Sequence, residues 1–192
     1  MLARLKVNVP RRNLIREQTS SGLRGSSGAV LDLDYEDDFL PVYTTPAYFG
    51  QKGNMGGNDS KFVIDTTTPY ITVTDKGCDN CYEDKDEGVF DVDESRTFQY
   101  ITRPEEPEQI EIGESVLSGY WGKDKIYLLA EEDEEDGKEK RLQVNAEFFL
   151  ITHIVSGQDR TNLDGQIGLG IPSSVNSYSP TKSLVEVLYG AG

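Results

Sequence analysis

The stretch KFVIDTTTPYITV, residues 61–73, decides how the rest of this chain is interpreted. It is rich in β-branched and aromatic residues, which are enriched in strands, and it contains one carboxylate, Asp65. Similar short runs recur along the chain and are separated by turn residues. These runs are PAYFG, TFQYIT, QIEIGES, KIYLLA, EFFLITHIV and GQIGLGI. The pattern predicts an all-β domain.

Two polar segments are predicted to be loops between strands. Residues 131–140, EEDEEDGKEK, have no apolar side chain and predict an exposed hairpin tip or a mobile loop. Residues 53–59, GNMGGND, resemble a hairpin loop. The last residues predict a helix with Ser179 or Thr181 as its N-cap and Gly190 as its end. Its apolar side is expected to carry Leu184, Val185 and Leu188.

Length and charge limit the classes of protein that this chain can belong to. It has 192 residues, enough for one domain with its own core, and a formal net charge of -15. Such a charge repels phosphates, so nucleic acid is not an expected partner. No run approaches the roughly 18 consecutive apolar residues of a membrane span, so no span is expected.

The N-terminal region differs in charge from the rest of the chain. Residues 1–24 carry six basic side chains and one acid, and the Gly/Ser-rich residues 20–30 follow. Residues 1–39 are therefore expected to be a basic arm with an acidic linker, and residues 40–192 the folded domain. The arm is expected either to lie across the acidic body by Coulomb attraction or to remain a disordered tail.

Four segments, taken in order, resemble the N-terminal lobe of pepsin-like aspartic peptidases, and the resemblance covers residues 40–192. Residues 48–73 resemble the lobe's first hairpin and active-site strand, with its Asp-Thr-Gly-Ser/Thr motif. Residues 78–99, from CDNC to RTFQ, resemble the cysteine-bracketed loop and the continuation F/Y-D-x-x-x-S-x-T-F. Residues 110–128 resemble the flap hairpin, and LDGQIGLGIPS, residues 163–173, resembles the signature F-D-G-I-L-G-L-G. The resemblance implies a pepsin-like single lobe, and the basic arm is similar to family prosegments.

The resemblance implies a catalytic role for Asp65 that this chain fills only in part. Asp65 and Thr66 match the family's Asp-Thr, and Thr68 matches the hydroxyl that hydrogen-bonds the carboxylate. Aspartic peptidases use two close carboxylates that share one proton. The second comes from a C-terminal lobe with its own Asp-Thr/Ser-Gly, and the sequence has no second such motif. The chain therefore supplies at most half of a dyad.

The motifs also depart from the family pattern at four positions, one of which is Ser115, where the family commonly has glycine. Thr67 stands at the glycine position, where a β-branched side chain is expected to push the loop or the opposing carboxylate away. At the flap, which the resemblance places at Ile112 and Gly113, Ile112 replaces the tyrosine that closes over substrate. Thr72 stands where a tryptophan commonly supports that tyrosine. These departures favour a lobe with impaired catalysis.

The two cysteines, Cys78 and Cys81, are disulfide candidates within the family's cysteine loop. A zinc site would need further ligands, and the sequence offers only His153, which lies in an apolar strand. No metal and no cofactor is therefore expected.

Three functions are compatible with these residues. The favoured one is a catalytically impaired lobe, inactive as an isolated chain, that acts as a structural or interaction subunit of a larger assembly. The first alternative is an active aspartic endopeptidase completed by a second lobe or by a homodimer, and the second is a peptide-binding module without catalysis. The family's usual route implies a secretory or vacuolar location, and an organellar or cytoplasmic assembly is the alternative.

Overall fold

The computed structural model describes residues 3–8, 28–36, 42–51, 55–81, 90–132, 139–156, 164–170 and 183–190. Over these residues the chain is mostly β-strand, with one α-helix and a 3-10 turn at Val92–Glu94, so the all-β prediction is confirmed. The strands are β1 (Ala3–Asn8), β2 (Gly28–Glu36), β3 (Val42–Phe49), β4 (Met55–Asp65), β5 (Ile71–Asp79), β6 (Gln99–Tyr100), β7 (Glu108–Ile112), β8 (Ser115–Glu132), β9 (Glu139–Ser156) and β10 (Gly165–Gly168). The helix α1 spans Leu184–Gly190.

Six of these strands pair into a closed ring. The order around the ring is β3, β4, β10, β5, β9 and β8, and β8 pairs again with β3. β10 runs parallel to β4 and antiparallel to β5, and β5 runs parallel to β9. Closure of this kind removes open sheet edges from the six strands and encloses their inward-facing side chains.

Strand β9 separates two hydrophobic clusters. Because side chains alternate along a strand, one face of β9 packs into the ring and the other packs against the β7–β8 hairpin. This double burial explains why FFLI, residues 148–151, is a continuous apolar run rather than an alternating one. The inner cluster includes Val144, Ala146, Phe148 and Leu150 from β9, together with Phe49, Phe62 and Phe90. The outer cluster contains Tyr70, Cys78, Cys81, Ile112, Leu117, Trp121, Phe149 and Ile151.

Two strands are described in the N-terminal region. β1 and β2 form an antiparallel pair, and the last residues of β2 pair with β3. The register pairs Leu5 with Leu31 and Arg4 with Asp32. The sequences ARLKVN and LDLDYE explain why these segments form strands, because they alternate apolar and polar residues with the period of a strand. The strand pairing therefore extends upstream of residue 40, where the domain was expected to begin.

The hairpin between β3 and β4 also begins earlier than the sequence predicts. The turn lies at Gly50 and Gln51, and residues 55–59 of the expected loop belong to β4. Pro46 has no N–H to donate, and the ladder shifts register between Thr45 and Ala47. The Ser60 hydroxyl bridges this irregularity, since it accepts from Ala47 N over 3.2 Å and donates to Ala47 O over 3.1 Å.

The acidic insert at residues 131–140 connects β8 and β9 as a hairpin. The two strands pair antiparallel as far as Glu132 and Glu139, and residues 133–138 lie outside the described part. The strand pairing on either side agrees with a hairpin, which is one of the two forms that the sequence predicts for this insert.

Helix α1 begins at a cap that the sequence analysis missed. The Ser183 hydroxyl accepts from Glu186 N over 3.3 Å, and Glu186 Oε2 accepts from Ser183 N over 2.9 Å. This reciprocal pair is a capping box, whereas the predicted caps at residues 179 and 181 lie outside the described residues. Leu184 and Leu188 are buried as expected, but Val185 is exposed. Within the described ranges, no helix has the length and apolar character to cross a membrane.

Candidate functional site

Asp65 lies at the end of β4, where three strands meet. β10 is inserted between β4 and β5, and its register places Gly168 opposite Asp65. The loop between β4 and β5 is tied to the end of β10, because Leu169 N donates to Asp65 O over 2.7 Å and Gly170 N donates to Thr68 O over 2.8 Å. Two motifs that are far apart in sequence, VIDTTT and DGQIGLG, therefore lie side by side.

Two glycines allow this close approach of backbones. A Cβ on Gly168 would lie 2.3 Å from Tyr70 O, and one on Gly170 would lie 2.7 Å from Thr67 O. Real Cβ atoms do not approach backbone oxygens this closely, so any side chain here would displace the Asp65 loop from β10. The glycines of GLG therefore hold the loop in position.

The Asp65 carboxylate is hydrogen-bonded by its own loop. Oδ1 accepts from Thr67 N over 2.7 Å and from the Thr67 hydroxyl over 2.6 Å. Oδ2 accepts from the Thr68 hydroxyl over 2.7 Å. Since a carboxylate oxygen has two lone pairs, the two Thr67 groups fill the acceptor capacity of Oδ1.

These bonds determine the acidity of Asp65. Partial burial alone raises its pKa, but the hydrogen bonds from Thr67 and Thr68 outweigh burial and lower the pKa below its usual value. Hydrogen bonds to the charged form favour that form, so the loop stabilises an ionised Asp65. An ionised group with a low pKa is a weak base, which limits what this carboxylate can do to a water molecule.

The structure adds Gln166 to the residues expected at the site. Gln166 is 3% exposed in β10, and its Nε2 donates to Thr68 Oγ1 over 2.6 Å. Sequence reasoning missed it, although a signal was present: GQIGLG consists of small and apolar residues except for one polar residue, Gln166.

The other threonines of the motif lie at the exposed tip of the loop. Thr66 and Thr67 are both exposed, and Thr67 turns its hydroxyl back onto Asp65. The predicted clash at Thr67 concerns an opposing carboxylate from a second lobe, so that clash stays a prediction. What the structure adds is a direct role for the Thr67 hydroxyl as a ligand of Asp65.

The residues predicted to form a flap, Ile112 and Gly113, lie in the β7–β8 hairpin. Its two-residue turn is formed by Gly113 and Glu114, and Ile112 pairs with Ser115 across it. Gly113 has φ 60°, the positive value that a type II′ turn requires at its first central position. A Cβ at Gly113 would meet nothing within 4 Å, so backbone conformation rather than space selects glycine here.

Ile112 is packed into the outer cluster at the base of this turn. It is 5% exposed and shares the cluster with Tyr70 and Trp121, whose ring centroids lie 5.7 Å apart. Thr72, the other departure from the family pattern, is fully buried, and its hydroxyl accepts from Gln166 N over 3.2 Å. Ile112 is therefore part of the packing and Thr72 part of the strand pairing.

Cys78 and Cys81 are joined by a disulfide at the end of β5. Their Cα atoms are 5.6 Å apart, within the roughly 4.4–6.8 Å that a disulfide spans. Both are buried in the outer cluster. His153 lies beside this turn, with Nδ1 3.6 Å from Asp79 Oδ2. Among the residues that the structure describes, no three His, Cys, Asp or Glu side chains are grouped to hold a metal.

Two other carboxylates, Asp164 and Asp124, stabilise the fold by accepting hydrogen bonds. Asp164 Oδ2 accepts from Lys61 N over 2.6 Å, four residues before Asp65 on β4. At about 3.3 Å per residue this is roughly 13 Å from Asp65, too far to share a proton with it. Asp124 is 2% exposed, and its two oxygens accept from the Ser95 and Thr97 hydroxyls, each over 2.5 Å.

Comparison of the chain with models of protein families gives no match, and comparison with curated protein sequences gives none either.

Proposed function

We propose that this chain is a pepsin-like lobe without catalytic activity that serves as a structural or interaction subunit. The observation that carries the proposal is the double hydrogen bond from Thr67 to Asp65 Oδ1. It occupies one oxygen of the only aspartate that the motif supplies. The side-by-side placement of VIDTTT and DGQIGLG supports the relationship to aspartic peptidases on which the proposal depends.

The chemistry of aspartic peptidases explains why these bonds matter. One carboxylate activates a water while the other donates a proton to the carbonyl, so each must exchange protons during the reaction. The hydrogen bonds from Thr67 and Thr68 lower the pKa of Asp65 and disfavour its protonated form. An aspartate in this setting is suited to holding its loop, and less suited to sharing a proton.

The hairpin supports the same conclusion. Ile112 has no hydroxyl to donate to a substrate, and it is buried against its own lobe. A lid residue that stabilises the resting fold is not available to close over a peptide. The lobe therefore retains the framework of a peptidase while its lid and its aspartate are used for stability.

A second candidate function is an aspartic endopeptidase completed by a second copy of the chain. It is favoured by the exposure of Thr66 and Thr67 and by the partial exposure of Asp65, which leave the loop tip open to a second lobe. In such a dimer the two Asp65 side chains would form the dyad.

The test combines the native mass of the protein with an acid proteolysis assay. Wild type and Asp65→Asn are incubated with an unfolded protein substrate between pH 3 and pH 6, and peptide release is measured. We expect wild type to release no more peptide than Asp65→Asn. Release by a wild-type homodimer that Asp65→Asn abolishes would instead establish the second candidate. Binding of peptides without cleavage, measured by calorimetry, would identify a peptide-binding module.

A further inference from the structure

Gln166 connects the centre of the sheet to the Asp65 loop. Its Nε2 donates to Thr68 Oγ1 over 2.6 Å, and the Thr68 hydroxyl donates to Asp65 Oδ2 over 2.7 Å. The two bonds run in one direction, from the buried amide on β10 to the carboxylate at the end of β4. Hydrogen bonds in such a chain polarise and strengthen one another.

The direction of this chain follows from the donors involved. A hydroxyl has one proton to donate, whereas the NH₂ end of an amide can only donate. Because Gln166 donates to Thr68 Oγ1, the proton of Thr68 is directed toward Asp65. The opposite orientation of the amide would present its oxygen and compete with Asp65 for that same proton. An ionised Asp65 suits the observed arrangement, since a protonated one would point its own proton at groups that already donate to it.

We propose that Gln166 is a positioning residue that fixes the direction of the Thr68 hydroxyl and so holds Asp65 in its ionised form. The inference rests on the proposed function, because it names the means by which the retained aspartate is kept from sharing a proton. The groups that act on the carboxylate are Thr67 and Thr68 from its own loop, with Gln166 behind Thr68. Burial and the bonds from the two threonines set its pKa.

The test is the pKa of Asp65, measured by the carboxyl ¹³C signal of labelled aspartate as pH is varied. The Asp65 signal is assigned by its loss in Asp65→Asn. Gln166→Met keeps a side chain of similar length and removes the donor. We expect the pKa of Asp65 to rise by about 0.5, a roughly threefold increase in proton affinity, because the Thr68 hydroxyl becomes free to turn. Gln166→Glu, which adds a like charge, should raise it further.

Thr72→Val is the matched control for loss of stability. Thr72 is buried on β5 and accepts from the backbone N–H of Gln166, so this variant removes a hydrogen bond between β5 and β10 at the same residue. It leaves the Gln166 side chain and the Thr68 hydroxyl in place. We expect it to lower stability without changing the pKa of Asp65.

A double-mutant cycle separates positioning from a merely structural role. If Gln166 acts through Thr68, adding Gln166→Met to Thr68→Val should leave the pKa of Asp65 at the value of Thr68→Val alone. An unchanged pKa in both Gln166 variants, or a full extra rise in the Thr68→Val background, would overturn the inference. Proteolysis by wild type would overturn the proposed function by a separate measurement.

Discussion

The Thr67 hydroxyl lies 2.6 Å from Asp65 Oδ1, at the position where the family motif has a glycine without any side chain. The same residue donates its backbone N–H to the same oxygen over 2.7 Å. The Thr67 hydroxyl therefore adds a second donor and fills the second lone pair of Oδ1, so Thr67 holds the carboxylate against its own loop.

Thr67→Gly should loosen this loop without creating an active enzyme. The variant loses the hydroxyl bond to a charged group and adds backbone freedom, so we expect the free energy of unfolding to fall by about 1–2 kcal/mol. Urea unfolding followed through the fluorescence of Trp121, the single and fully buried tryptophan, measures this change. Thr66→Gly is the control, since Thr66 is exposed and is not a donor to the carboxylate. Acid proteolysis by the Thr67→Gly chain alone would contradict the expectation, because the second carboxylate is still missing.

Asp65→Asn should destabilise the protein at neutral pH and have little effect in acid. The pKa of Asp65 is raised by burial but lowered overall by its hydrogen bonds, so the folded state holds the ionised form more strongly than the unfolded state does. This stabilisation is fully present above the unfolded pKa of about 3.9 and is lost as pH falls through the lower folded pKa. We expect a loss of about 1–2 kcal/mol at pH 7, the value of one hydrogen bond to a charged group at a partly exposed site.

The control for Asp65→Asn is Glu105→Gln, which removes one negative charge from an exposed position of a chain whose formal net charge is -15. Unfolding curves at pH 7 and near pH 3 compare the two variants. If Asp65→Asn lowers the free energy of unfolding by the same amount at both pH values, the loss does not come from an ionised, hydrogen-bonded Asp65.

The features that could be predicted from the sequence depend on neighbouring residues, whereas those that were missed depend on residues far apart in the chain. Local periodicity and turn residues predict the Asp65 strand, the acidic β8–β9 hairpin and the two buried leucines of α1, Leu184 and Leu188. The bond from Gln166 to Thr68 joins residues 98 positions apart, and it exists only because β10 is inserted between β4 and β5. No pattern within a short stretch of sequence predicts the register of β10 against β4 and β5. The β1–β2 pair is different, because its residues alternate between apolar and polar but are also rich in charge, which is typical of a flexible segment.

Ile112→Ala should reveal whether the hairpin tip serves the core or a binding cleft. Ile112 is 5% exposed within the outer cluster, so its truncation should lower the free energy of unfolding by about 2–4 kcal/mol. Val155→Ala is the control, since Val155 is 45% exposed in β9 and its truncation should change stability by less than about 0.5 kcal/mol. A stable Ile112→Ala protein with altered peptide binding would assign Ile112 to a lid instead.

Asp75→Asn should stabilise the protein at neutral pH, the opposite of Asp65→Asn. Burial raises the pKa of Asp75, and repulsion from Asp91 and Asp93 adds to this, while a hydrogen bond from Gly77 N opposes it. The folded state therefore binds a proton at Asp75 more tightly than the unfolded state. The destabilising effect of the ionised form is present at pH 7 and disappears as pH falls below the unfolded pKa of about 3.9.

The surroundings of Asp75 set the size of the expected gain. Lys76 is 3.5 Å from Asp91 and offsets part of the acidic charge. Burial raises the pKa of Tyr120 from β8, and the charge of Asp75 raises it further. Because Asp75 is partly exposed and solvent screens its charge, we expect a gain of at most about 1 kcal/mol, or roughly 2–4 °C in Tm. The asparagine oxygen can still accept from Gly77 N, which lies 2.7 Å from Oδ1 in the wild type.

Asp93→Asn should give a smaller gain of the same sign, because it removes one of the two repelling charges but leaves Asp75 ionised. Glu105→Gln again measures the general effect of lowering the net charge. Thermal unfolding at pH 7 and near pH 3 compares the three variants. The assignment of Asp75 as a partly buried charge that destabilises the folded state fails if Asp75→Asn gains no more than Glu105→Gln at pH 7, or if its gain persists in acid.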